Sequence, residues 1–394
     1  MSSKLFIVST VLILCLIHAI NCHDDDALTY VQKRAIIDEI KASTSTPTWI
    51  TPDRLLDRAV CQSPVCADSS ASAKASTVGL MIILCGTGQP LDSRRGRACT
   101  AIRAGDEYMV FDIGMGSEVC LSTFNRTDLS LKVTKIFITH YHSDHTGGIP
   151  NFLTFGWLTR GFKVDLYGPN FDIMKNFTEG MRKFYVVDAL QRETNANYAT
   201  KTCAPIFHSP AEANLSPVKY DTLQFNSKPY TAPVNDSKTR VLVYQNISSG
   251  LKVEAFRVDH HIANPAVGYR VTYKGKVVVI SGDTIGYPLS KAVYNAAVNA
   301  DVLVHEIINQ TYVTKVLAKN AQDEFFRDCQ LLKSHSTIQQ VALLAKAANV
   351  QQLVATHIVP SPITDQQNQL IENEIKSTYK GKILIGNDYD YLLI

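Results

Sequence analysis

Ile138-Thr139-His140-Tyr141-His142-Ser143-Asp144-His145-Thr146-Gly147-Gly148 places three imidazoles and a carboxylate within six residues, directly after the apolar run Val133–Phe137. The whole chain has 11 histidines in 394 residues, so this density exceeds what a polar loop would gather by accident. Imidazole nitrogen and carboxylate oxygen are the ligands of zinc and related divalent ions. A loop leaving a buried strand can turn such side chains toward one point.

The same arrangement, strand and then ligand, recurs downstream. Val258-Asp259-His260-His261 ends a second β-like run. Val279-Ile280-Ser281-Gly282-Asp283 puts a carboxylate after a third, and Val354-Ala355-Thr356-His357 an imidazole after a fourth. His140, His142, Asp144, His145, His260, Asp283 and His357 make seven candidate ligands. Seven exceeds one tetrahedral zinc and suits two metals that share a carboxylate. His261 competes with His260 for one place.

Around these ligands the pattern alternates strand and helix. Strand-like runs lie at 79–84, 108–111, 133–138, 277–280, 302–304 and 353–355, and helical patterns at 336–348 and 365–377. Such alternation predicts an α/β sandwich. Residues 186–250 are rich in Asn, Pro, Ser and Thr and read as a long surface insertion that shapes a pocket. Charge is nearly balanced, with 39 basic and 36 acidic residues. That supplies no global signature of a nucleic-acid binder.

The N-terminus reads as a targeting segment. Lys4 precedes an apolar run to Ile20, and the acidic cluster Asp24-Asp25-Asp26 follows. This describes a secretory signal peptide over 1–22, with a retained membrane anchor as the bland alternative. Asn-x-Ser/Thr triplets at Asn125, Asn176, Asn214, Asn235, Asn246 and Asn309 agree with a glycosylating pathway. The expected location is therefore secreted or lumenal, with no stable span after leader removal. Residues 23–78 form an extension: a short amphipathic helix at 27–42, a Cys61–Cys66 disulfide loop and a small-residue linker at 67–77. Cys85 ends a strand-like run and reads as buried and free.

HxHxDH followed by Gly-Gly, with isolated His, Asp and His at later strand ends, resembles the metallo-β-lactamase superfamily. Cys85-Gly86-Thr87-Gly88, Phe111-Asp112-Ile113-Gly114, Tyr167-Gly168-Pro169, Gly268-Tyr269-Arg270, Val304-His305-Glu306 and His335-Ser336-Thr337 resemble its ribonuclease Z branch and the arylsulfatase-like relatives. The resemblance covers about 79–394 and implies a single hydrolase domain there, a four-layer αββα sandwich. It implies two Zn²⁺, with iron or manganese as alternatives. His140, His142 and His260 would hold one metal. Asp144, His145 and His357 would hold the other, with Asp283 bridging, and a hydroxide between the metals would be the nucleophile. Asp144 would also orient that nucleophile. His335 would serve the oxyanion or leaving oxygen, with Glu306 holding its ring. Asp112 and His261 would stand behind the ligands. Spacing to Gly268-Tyr269 favours His260 over His261 as ligand. His305 reads as structural.

Three departures separate the chain from the ribonuclease Z pattern. Met115 stands where that enzyme carries an acidic residue. His305-Glu306-Ile307-Ile308 replaces His-Glu-Ala-Thr, and Ile358-Val359-Pro360 follows the last ligand. Tyr185–Arg192 looks like the arylsulfatase-like relatives instead. The reading placed first is a secreted dinuclear-zinc hydrolase of a phosphodiester or sulfate ester, acting on a small or nucleotide-like molecule. The alternative is a ribonuclease Z-like endoribonuclease acting on RNA. A silent binding protein of the same fold comes third, and a homodimer is compatible with all three.

Overall fold

A computed structural model describes residues 79–124, 129–159, 162–198, 225–235, 238–261, 263–316 and 321–394. The leader, the 27–42 helix, the Cys61–Cys66 loop and the linker lie outside the described residues, as do Asn125, Asn214, His23 and His208.

Two seven-stranded mixed sheets face each other. The first runs β1 (Leu80–Gly86), β2 (Cys99–Ala104), β3 (Glu107–Phe111), β4 (Val133–Phe137), β5 (Val164–Pro169) and β6 (Phe225–Tyr230), with β14 (Tyr391–Leu393) on the far side of β1. The second has the order β13 (Lys382–Ile385), β12 (Gln352–Val359), β11 (Val302–Ile308), β10 (Lys276–Ile280), β9 (Ala263–Tyr273), β8 (Leu251–His260), β7 (Arg240–Asn246). Between the sheets lies one apolar layer, including Ile82, Leu84, Phe111, Phe137, Tyr269, Val278, Val304 and Val354. A second layer packs β10–β12 against the helices Ala292–Ala297, Ile338–Ala347 and Asp365–Thr378. Helix Glu118–Thr123 packs on β1, and helix Phe171–Tyr198 on β5 and β6. This is the expected αββα sandwich. No helix among the described residues is long and apolar enough to cross a membrane.

Central strands have both faces covered, so they read as continuous apolar runs. β1 (LMIILCG) and β11 (VLVHEII) are buried at every position. Cys85 is buried and free, its Sγ 2.7 Å from that of Cys120. The insertion expected over 186–250 is corrected in part. Helix Phe171–Tyr198 extends into it, and β6 and β7 are strands of the two sheets. Both are edge strands with half-exposed, polar sequences, FNSKPY and RVLVYQN, and so lack the apolar signature.

Topology sets the position of the site. β3, β4 and β5 are parallel, as are β10, β11 and β12. Their C-terminal ends therefore lie side by side within each sheet. His140, His142, Asp144 and His145 follow β4, Asp283 follows β10 and His357 lies near the end of β12, while His260 ends the antiparallel strand β8. Asn264-Pro265 and Val359-Pro360 are cis.

Candidate metal centre

The ligand loop begins where β4 ends. Asp112, at the end of β3 with φ +57°, fixes its conformation. Its carboxylate accepts from Thr139 N (2.8 Å), Thr139 Oγ1 (2.6 Å) and His145 Nδ1 (2.8 Å). With its hydrogen directed at Asp112, Thr139 Oγ1 accepts from His140 Nδ1 at 3.1 Å. His260 Nδ1 donates to the Ser334 carbonyl at 2.8 Å. These partners set the tautomers, so His140, His145 and His260 all present Nε2 inward. Below the loop, Phe111, Phe137 and Tyr167 stack with centroids 5.1 and 4.7 Å apart. Tyr269 OH donates to Ile138 O at 2.6 Å and holds the strand end.

Two groups of donor atoms result. In the first, His142 Nδ1 lies 3.0 Å from His140 Nε2 and 3.3 Å from His260 Nε2. In the second, His357 Nε2 is 3.1 Å from Asp144 Oδ2 and 3.5 Å from Asp283 Oδ2. His145 Nε2 is 3.6 and 3.4 Å from the same two oxygens. Asp283 Oδ2 is also 3.8 Å from His260 Nε2, so it stands between the groups.

A metal fits this donor set. Ligands about 2.0–2.1 Å from a tetrahedral zinc stand roughly 3.3 Å apart. The separations of 3.0–3.6 Å within each group match that edge. His145 Nε2 and Asp283 Oδ1 are buried without a hydrogen-bond partner, a costly arrangement that coordination relieves. Burial pushes His140 and His260 down, toward the neutral form that ligates. For His145 and His357 burial acts the same way, but the Asp283 and Asp144 carboxylates outweigh it. Without metal, His357 is pushed up to about 9 and His145 well above the usual imidazole value. Burial likewise opposes ionisation of Asp144, yet His145 and His357 hold its carboxyl at about 2.

His335 borders both groups. Its Nδ1 is 3.3 Å from Glu306 Oε1 and 3.8 Å from Asp283 Oδ2. Glu306 Oε1 is itself fixed by Thr284 N at 3.2 Å and Ser336 N at 3.0 Å. Burial disfavours a charged His335, but Glu306 outweighs it and raises the ring above its usual value.

The structure brings together His140, His142, Asp144, His145, His260, Asp283 and His357, with His335, Glu306 and Asp112 around them. It does not bring in His261, and that expectation is corrected. His261 is exposed, with φ +22° in the β8–β9 turn, and its backbone N–H donates to Asp259 Oδ1. The turn that closes this hairpin directs one histidine in and the next out. His305 is buried in β11 and donates Nδ1 to Glu306 O at 2.7 Å, outside either group. Sequence reasoning missed Thr139, Ser334 and Asp388. Thr139 carried a signal, as a hydroxyl closing an apolar strand before the first ligand. Asp388 accepts from Thr87 N and Oγ1 and from Gly96 N, and Thr87 O in turn accepts from Ile358 N beside His357. Contacts spanning some 300 residues leave no local trace.

A family model described as the metallo-beta-lactamase superfamily matches residues 93–324. The chain belongs to this superfamily. Superfamily members bind divalent metals, and the His/Asp groups above are this chain's equipment for one. His335 and His357 lie beyond the matched residues but close the same site. Ribonuclease Z from Mycobacterium bovis is 27% identical over 317 residues, covering 78% of this chain and 96% of its own. Ribonuclease Z from Methanosarcina mazei is 27% identical over 321 residues, covering 75% and 95%. Among solved structures, the short form of human tRNase Z superposes with a TM-score of 0.52 at 21% identity, covering 79% of this chain and 98% of its own. At that identity the structural likeness is one of fold.

Proposed function

We propose that the protein is a zinc-dependent phosphodiesterase of the ribonuclease Z kind, acting on RNA. One observation carries the hydrolase reading: Asp283 Oδ2 stands between a three-histidine group and an Asp144–His145–His357 group. The phosphodiester follows from relatives named ribonuclease Z that match nearly their whole length. These relatives favour the RNA alternative over the small phosphodiester or sulfate ester placed first by sequence.

Two of the three sequence departures become one feature. Ile307 pairs with Ile358 and Ile308 with Val359 across β11 and β12. Ile307, Ile308 and Ile358 are fully buried. They change the packing behind His357, not the groups at the site. Met115 is exposed beside Gly147 of the ligand loop.

Two divalent ions, when bound, supply Lewis acidity to the ester oxygens and lower the pKa of a water. The protein's own groups do the rest. Asp112 and Thr139 hold the ligand rings in one orientation. Glu306 Oε1, 3.3 Å from His335 Nδ1, orients this ring and favours its protonated form. His335, raised above its usual value, carries the proton that a departing oxygen needs. The leader adds a proposed secretory location, which N-terminal sequencing of the mature protein from a eukaryotic host would test.

The deciding experiment is a substrate panel on the zinc-loaded full chain: bis(p-nitrophenyl) phosphate, p-nitrophenyl sulfate, and an RNA with a 3′ trailer. Hydrolysis of both phosphodiesters, abolished by Asp283→Ala and by chelation, is expected. Hydrolysis of sulfate alone, or activity indifferent to Asp283, would overturn the reading.

A further inference from the structure

At the edge of the sandwich where β5 and β6 end and where the β8–β9 turn follows His260 lies a cavity of about 460 Å³. Its walls are built by the segments that follow β5 and β6, by Arg257 of β8 ahead of His260, and by the start of β9. Asn170 follows Pro169, whose carbonyl accepts from Tyr141 OH at 2.8 Å, and Tyr141 separates His140 from His142. Asn264 and Pro265 lie in β9, just past the turn after His260. Thr231 and Ala232 follow β6 and complete the wall next to β5.

The lining has a definite chemistry. Phe171 is 56% exposed, an open aromatic face at the rim. The Arg257 guanidinium is held in place by Asn264 Oδ1. Asp172, Asn264 and Thr231 add acceptors and donors. One cation and one carboxylate leave the cavity near neutral, which does not suit a phosphate. A planar, hydrogen-bonding group stacked on an aromatic ring or a guanidinium does suit it. Asn170 Oδ1 accepts from Asp172 N and Ile173 N, so the helix that carries Phe171 starts from a fixed point.

We infer that this cavity is a nucleobase subsite, in which Phe171 and Arg257 receive one unpaired base of the strand that crosses the metal centre. The inference rests on the phosphodiesterase reading for its substrate and refines it. It makes the protein a reader of single-stranded nucleic acid at the position flanking the cleaved bond.

The test is fluorescence anisotropy on the zinc-loaded full chain. The probes are a short labelled single-stranded RNA with hydrolysis-resistant phosphorothioate linkages and an abasic strand of equal length and charge. Wild type is expected to prefer the base-bearing strand by about tenfold, within the range of one base–aromatic stack. Phe171→Ala and Arg257→Met should each erode that preference, and Phe171→Trp should keep it. Melting curves and zinc content verify that each variant is folded. Equal affinity for both strands, no binding of either, or an unchanged preference in Phe171→Ala and Arg257→Met would overturn the subsite. If the substrate panel shows no phosphodiester hydrolysis while the base preference follows Phe171, the subsite stands and the activity falls. Hydrolysis without base preference removes the subsite and leaves the activity standing.

Discussion

Asp112 shows how much of the centre depends on a residue that reaches no metal. One carboxylate orients His145 directly and His140 through Thr139. Asp112→Asn keeps the volume but loses an acceptor and the charge. Metal affinity should fall by about 10–100-fold, the usual effect of removing such a partner. Competition with a chromogenic chelator measures this, and unchanged affinity would show that the loop is rigid without Asp112. The carboxylates also set a pH dependence. Without metal, His357 at about 9 lies above its free value, and His145 is raised too. The His357 ring therefore carries a proton at pH 7 and the upward shift of His145 favours its protonated form as well, whereas ligation needs both neutral. Zinc binding at pH 7 should release protons, and affinity should climb as pH rises toward 9. Calorimetry in two buffers of different ionisation enthalpy reads the count. A release near zero at pH 7 would contradict the ion-paired description.

Among the elements, helix Ile338–Ala347 separates stability from site geometry. Thr337 caps it in a reciprocal box: Gln340 N donates to Thr337 Oγ1, and Thr337 N donates to Gln340 Oε1. Thr337→Ala should cost about 1 kcal/mol of folding stability. His335, two residues earlier, should stay in place, because Ser336 N and Oγ are anchored to Glu306 and Thr284 O. A lowered melting temperature with unchanged zinc content is therefore expected, and lost zinc would mean that the cap holds the site. This helix was legible in the sequence, as were the central strands β1, β10, β11 and β12, because burial on both faces or on one helical stripe leaves a dense apolar signal. The edge strands β6 and β7 were not, since solvent on one side permits polar residues. The ligands were legible through their density and their place after strands. His335 and Glu306 were visible only through family resemblance, because their partnership is made by β11 and a loop nearly 30 residues apart. The choice between His260 and His261 needed the turn itself.

Across the whole molecule, the charge balance limits how the protein can hold RNA. The excess of 39 basic over 36 acidic residues is small. Several arginines are already engaged. Arg94 pairs with Asp92 at 3.0 Å, and Arg95 donates to Thr87 Oγ1, Gly386 O and Pro362 O. Arg257 is held by Asn264. The near-balanced composition leaves little net positive charge to neutralise phosphates beyond the cleaved one. Counterion release then gives a shallow salt dependence: two phosphates on a single strand correspond to a slope of about −1.4 in log K against log salt. Binding of a short RNA and of a full tRNA precursor should therefore follow similar slopes. Their kcat/KM values should agree within about tenfold, because the longer partner gains few added contacts. Titrations from 50 to 200 mM salt supply the measurement. A slope steeper than about −4 for the precursor alone would reveal an extended basic tract and a tRNA-sized footprint. The balanced composition would then have concealed a segregated surface, and recognition would extend well beyond the metal centre and its neighbouring cavity.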